Sequence, residues 1–159
     1  MTEEIGPDKL YLHYLLYLRT VRGRTATTMY DIVSDLLHQA WCRRTMSAYG
    51  CERWNGKNPE VGQSEVSALV VQDLLGGSIL LAYVPGHGPH FWNEIPNGEG
   101  VHVFDATRSQ FPQGTAVPPG RHVTRDVVLR SGAEFVGEQT PERYTVLVRR
   151  MADIMSAAR

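Results

Sequence analysis

Three residues of this chain are of the types that form and break acyl intermediates, and they follow one another in a usable order: Ser64, His90 and Asp105. A side chain opening a helix lies beside unpaired backbone N–H groups and the positive end of the dipole, where a thiolate or an oxyanion is stabilised. Ser64 has that setting if the segment from Ser64 to Leu75 is helical. His90 stands at the start of a strand after the turn Pro85 to Pro89, and Asp105 at the end of the strand that follows. Antiparallel pairing through Pro96-Asn97-Gly98 would bring the two together. The imidazole would then take the nucleophile's proton, while the acid fixes the tautomer and stabilises the imidazolium. Spacing alone leaves a plainer reading open, with Ser64 an N-cap, His90 a turn residue and Asp105 a cap or Asx-turn before Thr107.

The elements that must position these residues are legible in outline. Leu10 to Leu18 is apolar nearly all round after Pro7-Asp8, which predicts a helix buried on several sides or docked on a partner subunit. Thr28 to Thr45 carries Ile32, Val33, Leu36, Leu37, Ala40 and Trp41 at helical spacing, with Asp31 and Asp35 near its start. Ser47 to Gly62 turns to Gly, Asn and Pro and reads as a surface loop carrying Trp54. The helix from Ser64 presents Val66, Leu69, Val70 and Leu74 as its buried stripe and stops at Gly76-Gly77. Ser78 to Val84, Phe91 to Ile95 and Gly100 to Phe104 read as three short strands joined by tight turns, an antiparallel meander packed on that helix. Arg125 to Arg130 is a strand or a short helix, and Pro141 to Ala158 a C-terminal helix with Tyr144, Leu147, Val148, Met151 and Met155 on one side. The fold class is α+β: N-terminal helices, a central helix on a small antiparallel sheet, and a closing helix.

Bulk properties bound the functions. The 159 residues, 42% hydrophobic and 21% charged, suit one core and leave no room for a second full domain. Sixteen basic against seventeen acidic residues give a formal charge of -1. No basic excess exists for a phosphate backbone or an anionic membrane, so neither nucleic acid nor membrane is expected as a partner. The acidic start Met1-Thr2-Glu3-Glu4-Ile5 does not resemble a secretory signal, and two cysteines do not make a disulfide scaffold, so a reduced, cytoplasmic protein is expected.

Several segments carry a family resemblance. Trp54, the run Pro59 to Gly77, His90-Phe91-Trp92-Asn93, Asp105-Ala106-Thr107 and Gln110-Phe111 look like the bacterial YunG-like family, with Ala40-Trp41 upstream and Arg143-Tyr144 downstream. That family resembles papain-like and transglutaminase-like proteins. The similarity covers about two-thirds of the chain and divides it into an extension, 1–27, and a family core, 28–159, within a single domain.

The resemblance implies a papain-like core with a nucleophile, His90 and Asp105 as catalytic residues, and Ser64 where the family pattern has Cys after Gly-Gln. The change is read first as an engineered silencing of the thiol; a natural serine hydrolase and a natural binding protein without turnover are the alternatives. The implied activity is thiol-type acyl transfer to water or to an amine, from a small-molecule or peptide-like acyl substrate, free or carrier-bound. No cofactor is implied. The backbone N–H of residue 64 is the first candidate for the oxyanion, with Gln63, Trp92 and Asn93 as further oxyanion or substrate-binding candidates.

Other conspicuous residues have plainer readings. His87, His90, His102 and His122 lack a Cys pair or a helical His-x-x-x-His, so no metal site is expected. Cys42 ends a helix, where the dipole opposes a thiolate, and Cys51 lies in a loop without an obvious base. Tyr11, Tyr14 and Tyr17 form a stripe for the core or for a homodimer through the N-terminal helix. Glu134, Glu138 and Glu142 read as solvated.

Overall fold

The computed structural model describes residues 4–21, 28–48, 52–132 and 139–158. Cys51, Glu134 and Glu138 lie outside the described residues.

Helix α1, Pro7–Val21, begins with proline at its first position, where the missing N–H costs nothing. It buries Leu10 and Tyr14, one turn apart, and leaves Tyr11, Leu12 and Leu15 exposed. Of the two readings its sequence allows, burial on several sides or docking on a partner subunit, the first is not what the chain shows: it packs by one face. Helix α2, Met29–Ala40, opens on a capping box: Asp31 N–H donates to Thr28 Oγ1 and Thr28 N–H to Asp31 Oδ2, both at 3.2 Å. It stops at Ala40, five residues before the predicted end. Trp41 leaves the helical conformation at ψ 139°. Its indole N–H donates to Ser67 Oγ at 2.9 Å, a tertiary bond that redirects the chain.

Helix α3, Ser64–Leu75, is the pillar of the fold. Every residue from Ser64 to Val71 is buried, polar ones included, so the predicted stripe widens to the full circumference. Gly76 caps it at φ 74°. Gly77 follows at φ 81°, and a Cβ there would strike the Glu94 backbone, so glycine is required twice over.

Strands β1, Ser78–Val84, β2, Gly88–Asn97, β3, Gly100–Phe104, and β4, Arg121–Val123, form one antiparallel sheet in the order β3-β2-β1-β4. The three-strand meander of the prediction is present, with β2 longer than expected at both ends. Pro89 and Pro96 sit near its tips, where loss of a ladder donor matters least. Strand β4 pairs through Leu80↔His122 and adds an edge beyond the three strands expected from the sequence. Three residues are too few for an alternation signal.

Helix α4, Arg125–Arg130, resolves the strand-or-helix choice and is capped by Thr124, whose Oγ1 accepts from Val127 N–H. Helix α5, Thr140–Ala157, buries Leu147, Val148, Met151 and Met155 against α1, α2 and α3. A second cluster joins Ala68 and Leu69 of α3 to Ile79, Leu81 and Phe91 of the sheet and Val128 of α4. On the opposite face of the sheet, Leu80, Ala82 and Trp92 are covered by Val117 of the 112–120 segment. The architecture is α+β, with five α-helices and four strands among the described residues.

Candidate functional site

The hairpin register places His90 and Asp105 together. Phe104, the last residue of β3, pairs with Asn93 of β2, so Asp105 emerges diagonally beside His90 on the neighbouring strand. The His90 Nε2–H donates to Asp105 Oδ2 at 2.7 Å, with the imidazole side chain 1% and the carboxylate side chain 16% exposed. This donor assignment follows from the carboxylate partner and, in the neutral ring, leaves the lone pair on Nδ1. Trp92, two residues on and therefore on the same face of the strand, stacks on the imidazole at 5.5 Å with planes 24° apart. Phe111 meets it edge-on at 4.8 Å.

The Nδ1 edge meets the side-chain amide of Gln110, Nε2 at 3.4 Å. Gln110 ends the short 3-10 helix Arg108–Gln110, and its Nε2 also donates to Thr107 Oγ1 at 3.0 Å across that turn. Its Oε1 accepts from Gly62 N–H at 3.4 Å. Gln110 thus ties the loop leading into position 64 to the imidazole. Ser64 itself opens α3 and is 5% exposed.

The other residues singled out from the sequence have definite placements. Gln63 is fully buried and its Nε2 donates to Cys42 O at 3.2 Å, which ties that arm of the amide to the loop, while its buried Oε1 has no hydrogen-bond partner among the described residues. Asn93 projects from the opposite strand face to His90 and donates to Ala68 O at 3.0 Å, anchoring α3 on the sheet. Trp92 is a wall of the imidazole pocket. Of the other imidazoles, His87 accepts from Arg53 Nη1 at 3.1 Å, His102 stacks on Tyr30 and His122 faces Glu94 at 3.2 Å. Among the described residues no three His, Cys, Asp or Glu side chains gather as a metal-ligand group.

Two residues of the site were not singled out for a role by sequence reasoning. Gln110 was visible only as part of a motif, although the Thr107-x-x-Gln110 spacing suits a side-chain contact across a 3-10 turn. The other is Glu65, buried next to position 64. Desolvation raises its carboxyl above the usual glutamate range, against the lowering influence of Arg143, its own backbone N–H and His90. Arg143 of α5, equally buried, stands 3.9 Å from Glu65 Oε2 and donates to Thr45 O and Thr140 Oγ1. The start of α3 is therefore clamped from below by an ionisable pair on two helices.

A family model described as YunG protein matches residues 29–156, nearly the whole of the described fold after α1. The chain belongs to the YunG family. The uncharacterized protein YunG of Bacillus subtilis strain 168 is 39% identical over 79 residues, covering 50% of this chain and 60% of that relative. The chain thus spans less than two-thirds of that YunG protein's length. No solved structure matches. The YunG match begins one residue after the Thr28 cap and ends within α5, so it takes in Ser64, His90, Asp105 and Gln110 together.

Proposed function

We propose that this YunG-family protein carries a papain-like acyl-transfer site in which position 64 is the nucleophile, His90 the base and Asp105 the residue that orients it. The observation carrying the reading is the buried 2.7 Å bond from His90 Nε2 to Asp105 Oδ2, with Nδ1 left as acceptor and a helix N-terminus at position 64. Ser64 occupies the place of a cysteine in this reading, and a thiol there is the active form.

The chemistry is acyl transfer through a covalent intermediate. The residue 64 proton passes to His90 Nδ1 as sulfur bonds to the substrate carbonyl carbon, and the carbonyl π pair moves to oxygen. The backbone N–H of residue 64 lies at the helix start, suited to that oxyanion. Collapse expels the leaving group, which takes the proton from His90; water or an amine then gives its proton to His90 as it attacks the acyl carbon, and that proton returns to sulfur as the acyl group leaves. The substrate is an amide, ester or thioester of a small or peptide-like acyl group.

Alkylation tests this directly. In Ser64→Cys, iodoacetamide is expected to label residue 64 near neutral pH in preference to Cys42 and Cys51, read by peptide mass mapping. Adding His90→Ala should slow labelling by about 10²-fold, the lower end of a positioned base's contribution. Equal labelling of all three thiols, with or without His90, would rule out an activated site. The Gln110 contact at Nδ1 favours a second reading, a binding protein without turnover on the same fold, and that outcome would support it.

A further inference from the structure

The imidazole of His90 is already held without help from Gln110. Asp105 fixes its Nε2 edge, Trp92 covers one face and Phe111 packs edge-on against the ring. What Gln110 adds is a donor on the one atom that a base must keep free. Its Nε2 lies 3.4 Å from Nδ1, and its Oε1 lies 3.4 Å from Gly62 N, both at the long end for hydrogen bonds. The firm bond of this amide is the local one, to Thr107 Oγ1 at 3.0 Å.

From this geometry we infer that Gln110 is a positioning residue that caps the His90 Nδ1 lone pair and must be displaced before residue 64 can give up its proton. The inference rests on the acyl-transfer reading for the use of Nδ1, but the cap itself is a property of the folded chain. Three things follow from the bonding. While the amide N–H points at Nδ1, the nucleophile has no acceptor there. Two long bonds, to His90 and to Gly62, are the only ones that must open, because the Thr107 bond belongs to Gln110's own turn. A substrate that offers better partners to the Gln110 amide and to the Gly62 N–H would open both at once, so binding and activation of the base are coupled through one side chain.

Two substitutions separate the arms. Gln110→Ala removes both. Gln110→Glu keeps an acceptor for Gly62 N–H but, when ionised, has no proton to donate to Nδ1. In the chain as it stands, with Ser64, the imidazole nitrogens of His90 are read by 15N NMR. The Nδ1 resonance is expected at the position of a hydrogen-bonded acceptor and should move in Gln110→Ala, while Nε2 stays protonated toward Asp105. An Nδ1 signal indifferent to Gln110→Ala overturns the cap, whatever the protein's activity.

In the Ser64→Cys background the same change should speed alkylation of residue 64 by about fivefold to tenfold, the factor one net hydrogen bond is worth. Gln110→Glu should speed it less than that or slow it, since a carboxylate there takes hold of a protonated Nδ1. Slower or equal labelling in Gln110→Ala, with labelling still dependent on His90, overturns the proposed displacement. Labelling independent of His90 in every background overturns the acyl-transfer reading instead, and the NMR result still decides the cap.

Discussion

The His90 ring is enclosed by three different chemistries, a carboxylate on Nε2, an amide on Nδ1 and two aromatic rings. Such enclosure fixes its rotamer, which a reactive base requires and a solvent-facing histidine lacks. Within electrostatic reach of His90 lies buried Glu65, whose titration is predicted to be visible in stability. Burial raises its folded pKa above the ordinary 4.5. A carboxyl shifted upward contributes stability that is fully present below its unfolded pKa and is lost as pH rises through the folded value. Glu65→Gln should therefore lose less stability than the parent as pH rises above about 4.5. Urea unfolding at several pH values checks this, and identical pH slopes would show that Glu65 stays paired and charged with Arg143. Burial raises Asp73 in the same direction, so the comparison must be with the single variant. At this scale, His90 and Asp105 were legible because a hairpin leaves only a few diagonal neighbours. Gln110 and Glu65 were not, because their significance comes from partners 20 or more residues away, His90, Gly62 and Arg143, which no local pattern encodes.

The two glycines between α3 and β1 offer a controlled experiment on a whole element. Both have positive φ, but a Cβ at Gly76 meets nothing, whereas one at Gly77 runs into the Glu94 backbone of β2. Gly76, at φ 74° and ψ -156°, sits in a region essentially reserved for glycine, so Gly76→Ala should cost about 1–3 kcal/mol in backbone strain alone. Gly77→Ala should cost about 2 kcal/mol more, because strand and helix would have to part. Equal midpoints in denaturant for the two variants would mean that the α3–β2 contact is soft. The limits of α3, β1 and β3 could be read from the chain because glycines and tight turns punctuate them. The end of α2 could not: Trp41 stops it by bonding Ser67 in another helix, a cause absent from local composition. β4 was hidden for a different reason, since three residues borrowing order from Leu80 and its neighbours carry no periodicity of their own.

For the molecule as a whole, the family match starts at residue 29, yet the core does not. Leu10 and Tyr14 of α1 lie in the same cluster as Leu36, Val70 and Met151, fully or almost fully buried. The Tyr14 phenol is pushed up to about 12 by that burial and by its neighbour Tyr11. Helix α1 is thus a structural part of the domain. Leu10→Ala should cost about 2–4 kcal/mol, as for other buried leucines. A thermal midpoint unchanged by this substitution would show that α1 docks only loosely. On the other side of the sheet the packing is just as close. A side chain added at Gly120 would come within 2.5 Å of the Trp92 indole, whose ring in turn lies over His90. The 112–120 cover, the indole and the imidazole are therefore stacked like leaves. Light emitted by Trp92, isolated by subtracting the spectrum of a Trp92→Phe protein, will register any lifting of that cover or any change of charge on the ring below it, giving the His90 pocket an optical gauge.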